Sequence, residues 1–272
     1  MKLIEPSYEI VPQIDLFKHI ESCGRICYKS EDRITNDSCH SFVNMIKLNK
    51  HLSALEHGTI YLQRCEVHPN DDFWIWVNKY RSNPYSKVNV LDDRSGGTLF
   101  VYITTNYRVI VENHWEDDLM KYDLLSSWKT PSKYHEQRIT VHFVCDRGIG
   151  NELVRHRVFS FSQESTRYCN YSKNKFRNEL TFIRPNWETN DDWKSQLEQA
   201  EKIYLNLIND HRWKPEQARS VLPLCTKTEI MMTGFVSDWK KFLELRTSPQ
   251  AHPQMRELCI PLQIDFVTHH LI

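Results

Sequence analysis

Glycine is scarce in this chain, with seven residues in 272 and Gly96-Gly97 the sole adjacent pair. That scarcity excludes the commonest phosphate cradles. No Gly-Lys-Ser/Thr loop occurs, and in Gly148-Ile149-Gly150-Asn151-Glu152-Leu153 a leucine stands where a dinucleotide fingerprint needs its last glycine. A run of about 18 apolar residues, the length that spans a membrane, is also missing. The start Met1-Lys2-Leu3-Ile4-Glu5-Pro6 has no basic region leading into an apolar one, so a cytoplasmic protein without a membrane partner is expected. The eight cysteines are scattered, which argues against a disulfide framework or an iron–sulfur ligand set and for reduced thiols. Cys23 and Cys27 fit one packed face of a helix. His135-Glu136 opens a zinc-protease motif, but Ile139 replaces the second histidine, and no metal site is expected. Neither charge sign is in excess: 35 basic and 35 acidic residues cancel, leaving no global field for a nucleic-acid partner.

What is present is globular. Hydrophobic residues make up 40%, aromatic 12% and charged 26% of a chain long enough to bury a substantial core. Helical periodicity is expected over 12–30 and around Phe42, Met45, Ile46 and Leu48, and strands over 58–65, 98–103, 139–144 and 230–235. Gly148 and Gly150 suggest a turn, after which a helix over 151–159 would carry Arg155-His156-Arg157. Asp191 and Asp192 open a long helix with Leu197, Ala200, Tyr204, Leu207, Ile208 and His211 on its core face. Pro215 suits a first helical position, Pro223 a stop, and Ser237 an N-cap for a helix ending near Arg246. Residues 68–95 look polar, aromatic and turn-rich, and 114–136 charged and irregular. The expected class is α+β, mixed helices with an antiparallel-type sheet.

Without a glycine cradle, a phosphate ligand must be held by side-chain cations or helix N-termini. Arg155, His156 and Arg157 form a dense cationic cluster, followed by Arg167 among the hydroxyls of Ser160, Ser162, Ser165, Thr166 and Tyr168. Forked guanidinium donors beside hydroxyls suit phosphate and pyrimidine oxygens. Composition alone equally allows a solvated basic face or a nucleic-acid contact.

The run Arg155-His156-Arg157, seven residues, then Ser165-Thr166-Arg167-Tyr168 resembles the signature of flavin-dependent thymidylate synthases. Three other segments resemble the same family in the same order: His51-Leu52-Ser53-Ala54-Leu55-Glu56-His57, Ala218-Arg219-Ser220-Val221-Leu222-Pro223, and Phe242-Leu243-Glu244-Leu245-Arg246. The resemblance covers about 15–65 and 139–260 and implies a single domain of this family over 1–272, with an insertion at about 68–136.

That resemblance implies reductive methylation of dUMP to dTMP, with methylenetetrahydrofolate as carbon donor and NADPH reducing through FAD, and no cysteine nucleophile. Carried over by position, Ser53, Arg155, His156, Arg157 and Gln163 would contact FAD, and Lys241 is a further flavin candidate in a region, with Phe235 and Val236, that departs from the family's polar pattern. Glu152, Arg155, Gln163, Ser165, Thr166, Arg167, Arg219 and Arg246 would contact dUMP, with Glu152 standing where some members have glutamine. Arg246 is the catalytic candidate, a fixed guanidinium able to stabilise negative charge on the pyrimidine. His156 is a candidate proton or folate partner. No base can be assigned to Ser165, which favours hydrogen bonding over nucleophilic attack. The family further implies a homotetramer whose sites draw on several subunits. A different flavoenzyme, an oxidoreductase built on Gly148-Ile149-Gly150, or a nucleic-acid module using the arginine cluster are the competing expectations.

Overall fold

A computed structural model of the chain describes residues 1–93, 97–124 and 131–272. Strands β1 (Lys2–Ile4) and β2 (Ser7–Val11) lead into helix α1 (Leu16–Arg25), whose first turn is closed by Asp15 accepting from the Lys18 amide at 2.8 Å. Helix α2 (Ser38–Leu48) follows, and a 3₁₀ segment over Leu52–His57 delivers the chain to β3 (Thr59–Val67). Next come α3 (Asp71–Arg81), β4 (Lys87–Asp93), β5 (Thr98–Asn106), α4 (Tyr107–Asn113) and α5 (Glu116–Tyr122). The second half runs β6 (Arg138–Asp146), α6 (Arg147–Leu153), β7 (Ser160–Gln163), β8 (Thr181–Ile183), α7 (Asp191–Asn209), α8 (Pro215–Ala218), β9 (Lys227–Phe235), α9 (Val236–Arg246) and α10 (Pro253–Thr268).

The strands form an antiparallel sheet in the order β2-β6-β9-β7, a second antiparallel sheet β3-β5-β4, and a short parallel pair β1-β8. This is the mixed helix and antiparallel-sheet architecture that the sequence suggests. One core lies between α1, α2, α3 and the second sheet. Another is clamped by α6, α9 and α10 on the first sheet, where fully buried Trp239 donates from its indole to the Ile139 carbonyl at 3.0 Å. A third sits under α7, around Tyr171, Phe182, Leu197 and Tyr204.

Two strand–helix corners repeat one local device. At the end of β5, Asn106 accepts from the Val109 amide at 3.1 Å, and at the end of β6, Asp146 accepts from the Ile149 amide at 2.7 Å. A short polar side chain at the N-cap satisfies an orphan helix donor where the extended chain turns helical.

Several local expectations are corrected. Gly148 and Gly150 lie inside α6, not in a turn, and the helix ends at Leu153, so Arg155-His156-Arg157 occupies turns beyond it. The reason is topological. Ser160 pairs with Thr233 of β9, and a helix continuing to 159 would carry β7 away from its partner. The stretch 68–95 contains α3 and β4, and 114–136 contains α5. Phe235, not Ser237, holds the N-cap position of α9, with no side-chain cap bond. His211 lies past the end of α7 and is exposed. Gly97 takes a left-handed φ of 69°, in keeping with the expected turn, while Gly96 lies outside the described residues. All eight cysteines are free thiols, and among the described residues no helix is long and apolar enough to cross a membrane.

Candidate active site

Six of the expected site residues gather in two places. At the first, Glu152 from the last turn of α6, His156 from the turn after it and Arg246 from the end of α9 meet. Arg246 donates from Nη1 to Glu152 Oε2 at 2.7 Å, from Nε to His156 Nε2 at 2.9 Å and from Nη2 to the Glu152 carbonyl at 3.4 Å. Because Arg246 Nε–H occupies His156 Nε2 as acceptor, the neutral imidazole carries its proton on Nδ1. Burial, then the Arg246 charge, lowers the His156 pKa to about 4. The imidazole ring stands edge-on to Phe242, 4.8 Å between centroids.

The second place is a cleft of about 1060 Å³ between α1, α2, the Leu52–His57 segment, α4 and the end of β7. Ser53, Gln163 and Ser165 line it together. Gln163 donates to Thr228 Oγ1 at 3.2 Å, which fixes its amide against β9. After Gln163 the chain turns sharply. The Ser165 amide donates to the Cys27 carbonyl at 3.0 Å, and Ser165 Oγ accepts from the Arg167 amide at 3.3 Å. No histidine or lysine hydrogen-bonds Ser165 among the described residues, where its hydroxyl shapes a turn. Thr166 is buried, whereas Arg167 is exposed with its guanidinium 5.3 Å from the Tyr168 ring, which packs on Tyr28 at 4.8 Å.

A buried ionic network holds that turn in place. Glu164, its side chain fully inaccessible, pairs with Lys227 at 2.7 Å and accepts from the Tyr171 hydroxyl at 2.8 Å. Lys227 also reaches Glu229 at 2.6 Å, and Glu229 accepts from Lys29 at 3.0 Å and pairs with His142 at 2.9 Å. Burial pushes the Glu229 carboxyl up, but the His142 bond and the Lys227 and Lys29 charges hold it well below the usual carboxylate range.

Arg155, Arg157, Arg219 and Lys241 are exposed and do not line the cleft. Among the described residues, the side chains of Arg155, Arg157 and Arg219 have no hydrogen bond or ion pair. Glu152, His156 and Arg246 are also absent from the cleft lining. The structure therefore unites Glu152 with His156 and Arg246, and Ser53 with Gln163 and Ser165, without joining the two sets.

The basic cleft wall escaped the sequence reading. Arg25, Arg33, Lys50, Arg108 and Lys175 line it, and Arg108 is tied to Glu56 at 2.6 Å and Glu112 at 2.8 Å. Their positions along the chain carry no pattern. No cluster of three or more His, Cys, Asp or Glu side chains suited to a metal occurs among the described residues.

Residues 110–264 match the model of a family described as thymidylate synthase complementing protein. The flavin-dependent thymidylate synthase of Pyrococcus furiosus is 32% identical over 119 residues, 42% of this chain and 48% of that protein. The probable flavin-dependent thymidylate synthase of Paramecium bursaria Chlorella virus 1 is 30% identical over 151 residues, 51% of this chain and 69% of that protein. The chain spans about half the length of the first curated relatives it matches, 48% and 51%. Among solved structures, a flavin-dependent thymidylate synthase from Helicobacter pylori complexed with FAD and dUMP aligns over 95% of this chain and 92% of its own, at 15% identity and a TM-score of 0.39.

Proposed function

The chain belongs to the thymidylate synthase complementing protein family, and from that premise we propose that it is a flavin-dependent thymidylate synthase. It converts dUMP to dTMP with methylenetetrahydrofolate as carbon donor and NADPH as reductant. The observation that carries the proposal is the meeting of Arg246, from a motif segment 90 and 94 positions away, with His156 and Glu152 at hydrogen-bond distance.

The cleft suits FAD by its chemistry. It combines cations for a pyrophosphate with apolar Phe42, Met45, Ile46 and Leu52 for flat rings, and its volume of about 1060 Å³ accommodates a dinucleotide. When bound, FAD supplies the hydride relay between NADPH and the nucleotide. Ser53 and Gln163 would hold it, with the exposed Arg155 and Arg157 and, as a further candidate, Lys241. Arg246 offers a fixed, preorientated cation to the pyrimidine and needs no proton movement to do so. Glu152 orients that guanidinium and would meet the pyrimidine edge. His156, neutral with its proton on Nδ1, keeps a donor free of Arg246. Ser165, Thr166 and Arg167 form the nucleotide-holding turn, with Arg219 as a second phosphate-binding cation.

The separation of the two residue sets within one chain supports a homotetramer with shared sites, in which exposed Arg155, Arg157 and Arg219 complete a neighbour's cleft. We further take 1–272 as one domain with an insertion at about 68–136, acting in the cytoplasm on small molecules and not on nucleic acid. The test is direct. Purified protein resupplied with FAD should show a bound-flavin band near about 450 nm and oxidise NADPH only when dUMP is present; absence of both overturns the proposal.

A further inference from the structure

Behind the cleft runs a series of buried polar side chains that the chemistry above leaves unused. Ser162 lines the cleft, is 3% exposed, and places its hydroxyl 3.0 Å from His57 Nε2. His57 Nδ1 lies 2.7 Å from Thr233 Oγ1, which lies 2.7 Å from Thr140 Oγ1, which in turn lies 2.9 Å from His19 Nε2. His57 and Thr233 are wholly buried, and Thr140 and His19 are 5% exposed. The five side chains come from β7, the Leu52–His57 segment, β9, β6 and α1.

A neutral imidazole has one donor and one acceptor nitrogen, and a hydroxyl donates once. The Thr140 and Thr233 hydroxyls make no other hydrogen bond among the described residues, whereas His57 also meets the Phe161 backbone and His19 Nε2 lies 3.7 Å from Cys23 Sγ; within the series itself the hydrogens run in one of two senses. With neutral imidazoles all hydrogens point towards Ser162, or all towards His19; a reversal part-way leaves a buried hydroxyl proton or ring nitrogen of the series unpaired. A doubly protonated His57 would donate to Ser162 and to Thr233 at once and so erase the choice between the two senses. Burial first, then the charges of His19 and Arg138, hold its pKa well below the ordinary imidazole value. Burial and Arg138 likewise bring His19 down to about 4. The series therefore carries direction and not charge.

We propose that the His19–Thr140–Thr233–His57–Ser162 series decides whether Ser162 presents a donor or an acceptor at the cleft, making His57 a positioning residue for the polar edge of the ligand. With the hydrogens directed towards Ser162, His57 Nε2–H donates to the hydroxyl, and the Ser162 proton turns to the cleft, where the Cys27 thiol beside it is the competing acceptor. In the opposite sense the Ser162 proton is spent on His57 and only lone pairs face the ligand. The identity of that ligand as a flavin rests on the function proposed above. A flavin edge mixes carbonyl acceptors with an N–H donor, so a fixed sense at Ser162 selects one orientation of the ring.

Nitrogen-15 NMR of the histidine rings in the full, ligand-free chain tests the series independently of catalysis. The wild type should show one neutral His57 tautomer throughout roughly pH 5–8. Thr140→Val cuts the series two links from Ser162 and should mix or invert that tautomer, while weakening FAD binding by roughly tenfold, the worth of one hydrogen bond. Thr140→Ser, which keeps the hydroxyl, should restore both readouts, and His19→Phe should repeat the Thr140→Val result from the far end. An unchanged tautomer in Thr140→Val and His19→Phe, or a charged His57 in the wild type, overturns the proposal. If the wild type binds no flavin, the proposed function fails, and the tautomer measurement still decides the series.

Discussion

The Arg246 guanidinium binds Glu152 Oε2 at 2.7 Å, across 94 positions of sequence, while its Nε is occupied by His156 Nε2 at 2.9 Å. One cation thus fixes both the carboxylate and the imidazole tautomer at the end of α6. Arg246→Ala should abolish dTMP formation, a loss of at least roughly 10²–10³-fold in kcat, with FAD still bound. Arg246→Lys keeps the charge but not the fork, and should recover little. Turnover assays paired with flavin absorbance check this; preserved turnover in the alanine variant would remove Arg246 from catalysis.

His156 should titrate abnormally low. Its pKa falls from 6.5 to about 4, so between those values the unfolded chain binds a proton that the folded chain refuses. The stability contributed by this neutral imidazole is complete above pH 6.5 and declines as pH drops towards 4. Arg246→Ala removes one of the two causes, and NMR titration should show the midpoint moving up. A midpoint near 6.5 in the wild type would contradict the geometry.

Lys227→Met should destabilise the fold by about 3–5 kcal/mol, because it strands Glu164 as a buried, uncompensated charge. The paired change with Glu164→Gln should recover part of that loss. Denaturant melts of the single and double variants decide the point, and additive losses would mean that the two residues are not coupled.

Arg167→Ala leaves an exposed position and should cost little stability, within about 0.5 kcal/mol. Its effect should fall on dUMP, whose binding weakens by about 2–5 kcal/mol if the guanidinium meets the nucleotide anion. Calorimetric titration with dUMP measures this. Unaltered affinity would take Arg167 out of the nucleotide site.

Gly234→Ala should be poorly tolerated, since a Cβ there would lie 2.2 Å from Phe159 Cδ1. Phe159 packs on Trp239 at 4.8 Å and follows the Arg155–Arg157 turn directly. Overpacking of about 1–3 kcal/mol is expected, with the turn displaced and activity lost along with thermal stability. A variant with wild-type melting and turnover would show that Phe159 can move at no cost.

Local patterns were legible where the physics is local. The first turn of α7 at Asp191, Pro215 opening α8 and the strands within β3, β5, β6 and β9 all follow from capping, ring geometry and alternation read a few residues at a time. The aromatic stretch over 68–93 reads as turn-rich because Phe73, Trp76, Val77 and Tyr80 of α3 bury one helical face amid charged neighbours, a period masked by the polar residues around it.

The sequence by itself determined the family signature and the mixed helix and sheet class, since those depend on residue type and spacing along the chain. Tertiary structure alone decided that Arg155-His156-Arg157 leaves its helix, because β7 must return to pair with β9. It alone built the basic cleft wall from Arg25 of α1, Arg108 of α4 and the connecting segments that carry Arg33, Lys50 and Lys175, and it alone joined His57 to Thr233 across 176 positions. Contacts of that kind arise from how sheets and helices stack, and a chain read residue by residue holds no local energy term from which they could be inferred.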